Sequence, residues 1–425
     1  MRSDGSRFRA LFLCLTVGAA ASGSCGSTAP LNPNDATPPP GDDASGGGDA
    51  VGITPTDTGM PAPEDAPADS VCATGSPLAG ASVPAGFCAR LFAKVTEART
   101  LALAPNGDIF VGAPSDSTPG GAHDGPGAIV VLSDDNHDGV AEQTNFLTGV
   151  AQVHGLAIGG GYLYFTTAAD VWRTPYVSGQ RKESGPREKL PMPDTFGTGG
   201  RWTHGLARSV GGQLIASRGE YGACGMMPGG EISRIDATGT TTLASAFRNP
   251  MYLRCHSTDE LCAATELGED LAMGALEKFL IVKPSTNYGY PCCYGHGKPI
   301  ASPSAGTCAD ITAEEASFTL SETPFGFDWE HSLWPAPYRG GVFVALHGSA
   351  YSTTPWKGAR VVFAPADPTT HLPTGPWQDF VGGFSSANLK RPADVVFGAD
   401  GRMFVADDEA GQVYWIAPQS LTAAK

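Results

Sequence analysis

Six times between residues 101 and 408 the chain runs through one order of positions: a short apolar stretch, a polar turn that usually carries glycine, and a second apolar stretch. The copies are "LALAPNGDIFVG" from 101, "GLAIGGGYLYFTT" from 155, "GLARSVGGQLIASRG" from 205, "MYLRCHSTDELCAATE" from 251, "FGFDWEHSLWPAPYRGGVFVAL" from 325 and "DVVFGADGRMFVADD" from 394. Further strand-like runs, "GAIVVLSD", "GEISRID", "ARVVFAPA" and "GQVYWIAP", stand between them. Starts lie roughly 45 to 75 residues apart, room for four short strands and their loops. One such unit cannot bury both of its faces, and side-by-side packing of the units solves this. The pattern predicts an all-β chain, a six-bladed β-propeller of four-stranded antiparallel blades over residues 72–420.

In a propeller the first strand of each blade lines a central channel, so residues just before those strands gather at one mouth. The second residue ahead of each strand start is Arg99, His154, His204, Asn249, Thr323 or Arg391, all polar. Thr203, Arg248, Glu322 and Lys390 precede four of them. A polar ring in a concave, aromatic-lined place predicts a ligand site; the alternative is a mouth that is polar because it is wet. The 56 Gly and 35 Pro fit short strands and turns. A net charge of −16 offers no basic surface for a phosphate backbone, which argues against nucleic acid as partner.

The first residues give a basic segment (Arg2, Arg7, Arg9), an apolar run from Ala10 to about Ala21 and small residues ending at Cys25. That order is an export signal, and Cys25 resembles the lipidated cysteine of a bacterial lipobox. Residues 1–25 are therefore read as signal peptide, with attachment to the cell envelope through an N-terminal lipid. Plain cleavage would leave a periplasmic or extracellular protein. Residues 26–71 are Pro, Gly, Ala, Asp, Ser and Thr almost throughout and predict a disordered tether. Eight cysteines follow, at 72, 88, 224, 255, 262, 292, 293 and 308. An even count after an export signal predicts disulfides. Cys255 and Cys262 flank a turn and are expected to pair, as are Cys72 and Cys88; the other four stay unassigned.

At "AFRNPMYLRCHSTDELCAATELGED", followed by "EKFLIVKPSTNYGYP", the chain resembles the soluble dehydrogenases of sugars that use pyrroloquinoline quinone (PQQ), the glucose and sorbosone dehydrogenase family. "GGEISRID", "YRGGVFVALHGS" and "KRPADVVFGADGRMFVADDEAGQVYWI" extend the resemblance over roughly residues 80–418. It implies oxidation of a sugar, or a related alcohol or aldehyde, by hydride transfer to PQQ, with calcium polarising the cofactor and an electron acceptor still to be identified. A histidine takes the hydroxyl proton and an arginine stabilises charge on the quinone oxygen. On this resemblance Arg248 and Asn249 of "RNP" take cofactor-side roles, Arg248 also a catalytic one. Arg391 matches an arginine on a cofactor carboxylate, and His347 stands where glucose-oxidising members have lysine. The carbonyls of Gly268 and Glu269 fall at the calcium position, with Glu269 in place of the usual proline.

Sorbosone-type members read His-Trp-Thr-Arg where residues 201–204 here read Arg-Trp-Thr-His. Arg201 thus occupies the position of the base, beside the cofactor, and arginine cannot act as a base near neutral pH. His204 is the candidate catalytic base only if the glycine-rich lead lets the segment bulge, because three extended residues span about 10 Å. His154 is the substitute. "LSETPFGF" also departs from the family, where many members carry a histidine-containing segment. "DDNHDGVAE" (134–142) resembles the start of a calcium loop, but Asn145 stands at its twelfth position, and an Asx turn is expected instead. Trp329, Trp334, Tyr338 and Trp356 are expected mostly in the core. The other function compatible with the scaffold is a non-catalytic propeller that binds carbohydrate or protein.

Overall fold

Alternation of apolar and polar residues across tight turns sets each hairpin. Thr100–Leu103 pairs antiparallel with Ile109–Ala113, and Gly107, at φ 91°, supplies the left-handed residue that the turn requires. The computed structural model describes residues 69–422 apart from 117–122, 194–195, 198–200, 227, 270–274, 303 and 349–357. The export signal, Cys25, most of the tether and Trp356 lie outside the described residues.

Each repeat is one blade. The first strands are Thr100–Leu103, Leu156–Gly159, Leu206–Arg208, Asn249–Cys255, Pro324–Trp329 and Pro392–Phe397. Each packs on the next, and the sixth packs on the first, so the ring is closed. Blades 1, 2, 4 and 5 are four-stranded, and blade 3 gains Thr286–Asn287 as a parallel edge strand. Blade 6 is composite: Pro392–Phe397, Met403–Asp407 and Gln412–Pro418 are completed by Phe87–Ala93 and Ser76–Pro77 from the other end of the domain. The single described helix is the 3-10 turn Val71–Ala73, and no described helix is long and apolar enough to cross a membrane.

The core lies between blades, with Phe327, Val344, Leu132 and Trp415 fully buried. Two glycines show how tightly the first strands meet. A Cβ on Gly155 would stand 2.6 Å from the His204 carbonyl oxygen, and one on Gly205 would stand 2.8 Å from that of Met251. This explains the His-Gly pairs at 154–155 and 204–205. Disulfides join Cys72 to Cys88 and Cys255 to Cys262 as expected, and also Cys224 to Cys292 and Cys293 to Cys308. "DDNHDG" forms an Asx-type turn: Asp138 N–H donates to Asn136 Oδ1 and Val140 N–H to Asp138 Oδ1, while Asp134 pairs with Arg402. Trp329 and Trp334 are core residues.

Candidate active site at the channel mouth

The turns entering the first strands bring polar side chains to one end of the channel. On the side of blades 5, 6 and 1, Asp408 is the hub, just after the second strand of blade 6. Its carboxylate accepts from Arg99 Nη1 at 2.7 Å and from His347 Nε2 at 3.0 Å. Burial alone would raise its pKa, yet His347, Arg99 and Arg391 hold it well below the usual carboxylate range. Burial lowers the pKa of His347 against the pull of Asp408. That ring stacks on Phe325 with centroids 4.1 Å apart. Arg391 donates to the carbonyls of His347 and Gly348, which fixes its guanidinium at the rim.

On the side of blades 3 and 4, Arg201 lies over the Tyr221 ring at 3.7 Å, and Thr203 donates to Asn249 Oδ1 at 3.2 Å. Arg248 is buried, with Nε 3.5 Å from Glu269 Oε2. Its backbone N–H donates to Glu266, whose other oxygen accepts from Lys278. Gly268 leaves no room for a side chain: a Cβ would stand 2.4 Å from the Leu276 carbonyl oxygen. The segment that follows Glu269, 270–274, lies outside the described residues.

Trp202 and Tyr252 sit between these groups. Arg99 lies over Trp202 at 5.2 Å and over Phe325 at 5.0 Å. Tyr252 donates its hydroxyl proton to the Arg99 carbonyl and packs against His154, with centroids 5.0 Å apart. Below, a channel cavity of about 240 Å³ is lined by His154, Tyr252, Arg254 and Asp394 among others. Arg254 pairs there with Asp394, whose carboxyl burial pushes up to about 6.

The two candidate histidines differ. His204 is fully buried in the wall between blades 2 and 3, its ring nitrogens 3.0 Å from the Ser217 carbonyl oxygen and 3.1 Å from that of Ala168. Phe196 covers its face at 4.3 Å, and burial pushes its pKa down to about 4. The chain at 201–205 therefore does not carry this imidazole into the channel; it carries the His204 carbonyl to His154. His154 Nδ1 lies 3.2 Å from that carbonyl oxygen and must donate to it, so the lone pair is on Nε2. Burial, with Arg99 nearby, holds His154 well below its ordinary pKa.

Four buried polar atoms at this end, Arg99 Nε, His123 Nδ1, His154 Nε2 and Thr323 Oγ1, have no hydrogen-bond partner among the described residues. Buried polar groups are normally paired, so a polar guest at the mouth fits this set. Sequence reasoning missed Asp408, and it missed His123, which stands 3.6 Å from Glu97 and 3.7 Å from Asp116 with its ring 4.6 Å from Trp202. Their only signal is that they end or bridge strands at the same mouth.

No protein-family model and no curated protein sequence matches the chain. Its fold is nevertheless shared with solved structures. A calcium structure of a Trichoderma reesei carbohydrate-active enzyme of family AA12 matches with TM-score 0.64 and 17% identity, covering 81% of this chain and 98% of that one. The holo PQQ domain of a Coprinopsis cinerea pyranose dehydrogenase matches with TM-score 0.61 and 18% identity, over 79% and 97%. The PQQ-bound aldose sugar dehydrogenase of Streptomyces coelicolor matches with TM-score 0.53 and 18% identity, over 79% and 99%.

Proposed function

We propose that this chain is an oxidoreductase that holds PQQ at the arginine-lined mouth and oxidises a sugar or a related alcohol or aldehyde. One observation carries the reading: Arg99, Arg201, Arg248 and Arg391 belong to one mouth where four buried atoms, Arg99 Nε, His123 Nδ1, His154 Nε2 and Thr323 Oγ1, have no hydrogen-bond partner among the described residues. The fold is also the one in which the Coprinopsis and Streptomyces proteins bind PQQ. Arg248, Asn249 and Arg391 would bind the cofactor's carboxylates, since charge-assisted contacts are the strong ones. Arg201 and His347 would flank it. Backbone carbonyls of Gly268 and Glu269 would offer the oxygen ligands that calcium needs. When bound, PQQ supplies the two-electron acceptor.

His154, rather than His204, takes the proton-accepting role. Its Nδ1–H is held by the His204 carbonyl, which orients the ring and leaves Nε2 to accept a hydroxyl proton. Arg201 stands near Tyr221 as a fixed cation. The chain is further read as exported and anchored through a lipid on Cys25, in a compartment where four disulfides persist. The mass of the mature N-terminus tests that: an unlipidated terminus rejects the anchor.

The deciding experiment adds PQQ and calcium to the apo protein and offers a panel of aldoses and polyols with an artificial electron acceptor. Saturable PQQ binding and turnover are expected. The second reading, a non-catalytic carbohydrate-binding propeller, draws support from the full burial of both His154 and His204. Sugar binding with neither PQQ binding nor turnover would select it.

A further inference from the structure

His256 follows the strand that Asn249 begins, so it lies at the other end of the channel from the arginine ring. It opens the turn "HSTDEL", clamped by the Cys255–Cys262 disulfide and by His256 N–H donating to the Leu261 carbonyl at 2.7 Å. Asp259, in the same turn, is fixed by Leu261 N–H on Oδ1 at 2.9 Å. From blade 5 comes His371, in the loop that precedes Gln378–Val381. Its N–H donates to the Asp367 carbonyl, and its own carbonyl accepts from Trp329 Nε1 at 2.9 Å. Two loops of adjacent blades, each tied down on its own, thus present two imidazoles and a carboxylate to one another.

We infer that His256, Asp259 and His371 form a site for a divalent transition-metal ion, zinc being the reference case, with a fourth position open to water. His371 Nε2 stands 3.3 Å from Asp259 Oδ2, and His256 Nδ1 stands 3.6 Å from Asp259 Oδ1. All three ligand atoms lie within 4.8 Å of one another. Tetrahedral zinc with bonds of about 2.0–2.2 Å separates its ligand atoms by roughly 3.2–3.6 Å, the range of the two imidazole-to-carboxylate spacings, one to each Asp259 oxygen. Two neutral imidazoles and one carboxylate suit zinc, nickel or copper better than calcium, which prefers an all-oxygen set. The two imidazoles stack, centroids 3.8 Å apart and planes at 19°. Rotation of the His371 ring out of that stack would let Nε2, already beside Asp259, share one ion with His256 Nδ1, and Thr258 Oγ1, now 3.1 Å from His256 Nδ1, gives way to the metal. Such an ion ties blade 4 to blade 5. The site is independent of PQQ chemistry, because the arginine ring lies at the other mouth.

The test uses the full chain, stripped with a chelator and free of PQQ. Titration with Co2+ should give a visible absorption band of tetrahedral cobalt at one equivalent, displaced by Zn2+, and Zn2+ should raise the unfolding temperature. His371→Ala and Asp259→Asn, both at partly exposed positions, should each weaken Zn2+ binding by more than the roughly 10–100-fold typical of losing an outer-shell partner. Absence of the band in the parent protein overturns the proposal, as does retention of affinity in either variant. A band lost instead on His123→Ala would put the ion at the Glu97–Asp116–His123 cluster and equally overturn it.

Discussion

His154 and His204 lie one blade apart at equivalent positions, yet different backbone partners give their imidazoles different surroundings. His204 has both ring nitrogens within hydrogen-bond distance of wall carbonyls, those of Ser217 and Ala168, and its one N–H donates to one of them, whereas His154 spends one nitrogen on the His204 carbonyl and keeps Nε2 without a partner. His154→Gln should therefore lower turnover of the PQQ-loaded protein by about 10²–10⁴, the usual worth of a positioned base, with little change in unfolding temperature. His204→Gln should cost about 1–3 kcal/mol of stability, because one buried carbonyl loses its donor, and turnover of the folded protein should stay within a few-fold. Equal turnover losses in the two variants at unchanged stability would refute the assignment. The polar ring itself was legible from sequence, since repeat position alone brings Arg99, His154 and Arg391 to one mouth. Which way each side chain turns was not. That depends on carbonyls such as Ala168 O, which a loop of a neighbouring blade supplies through space.

At the scale of elements, the turn from blade 4 into blade 5 rests on a carboxyl group. Glu277, in the third strand of blade 4, accepts the Thr323 N–H, and the residues there, Ser321 and Thr323, have φ of 77° and 56°. Burial pushes Glu277 up to about 7 from an ordinary 4.5, although the N–H groups of Thr323 and Ser321 favour the anion. The folded pKa exceeds the unfolded one, so below about pH 4.5 the group is neutral in both states and has no effect. Between 4.5 and 7 the unfolded chain ionises first and stability falls as pH rises. Above 7 the deficit is constant, on the order of 3 kcal/mol. Glu277→Gln keeps an acceptor oxygen without the charge. Calorimetry should find it more stable than the parent at pH 8 and no more stable at pH 4, and an equal difference at both values would rule this account out. The strands of this region were legible as apolar runs bounded by turns, as was the Cys255–Cys262 pair across its hairpin. The partners of Cys292 and Cys293 were not. The inserted segment returns to pair Thr286–Asn287 with blade 3 and sends vicinal cysteines to Cys224 and Cys308, contacts set by tertiary packing rather than by local pattern.

For the whole molecule the decisive event is closing the ring, and the two ends of the domain share it. Phe87–Ala93 lies along Gln412–Pro418 from Phe87 opposite Pro418 to Ala93 opposite Val413, so blade 6 is incomplete until both ends arrive. The disulfide from Cys88 to Cys72, Arg90 Nε on the Thr74 carbonyl and Val71 N–H on the Leu421 carbonyl hold the closing strand in place. A cross-link spanning 16 residues is worth about 3 kcal/mol through the loop entropy it removes from the unfolded chain. The Cys72→Ser/Cys88→Ser double variant should accordingly unfold about 3–5 °C lower, as expected for a domain of this size. Truncation separates the closing strand from the polar leader before it. Removing residues 1–68, whose composition offers almost no core-forming side chains beyond the export signal, should leave the unfolding temperature unchanged. Removing residues 1–93 strips blade 6 of its outer strands, bares the edge of Gln412–Pro418 to other chains and deletes Phe87 and Phe92 from the core. That protein should aggregate or unfold without a cooperative transition. A soluble 94–425 fragment with the parent's melting curve would mean that the ring closes without its N-terminal strand, and the shorter truncation must match the parent for the comparison to implicate that strand alone.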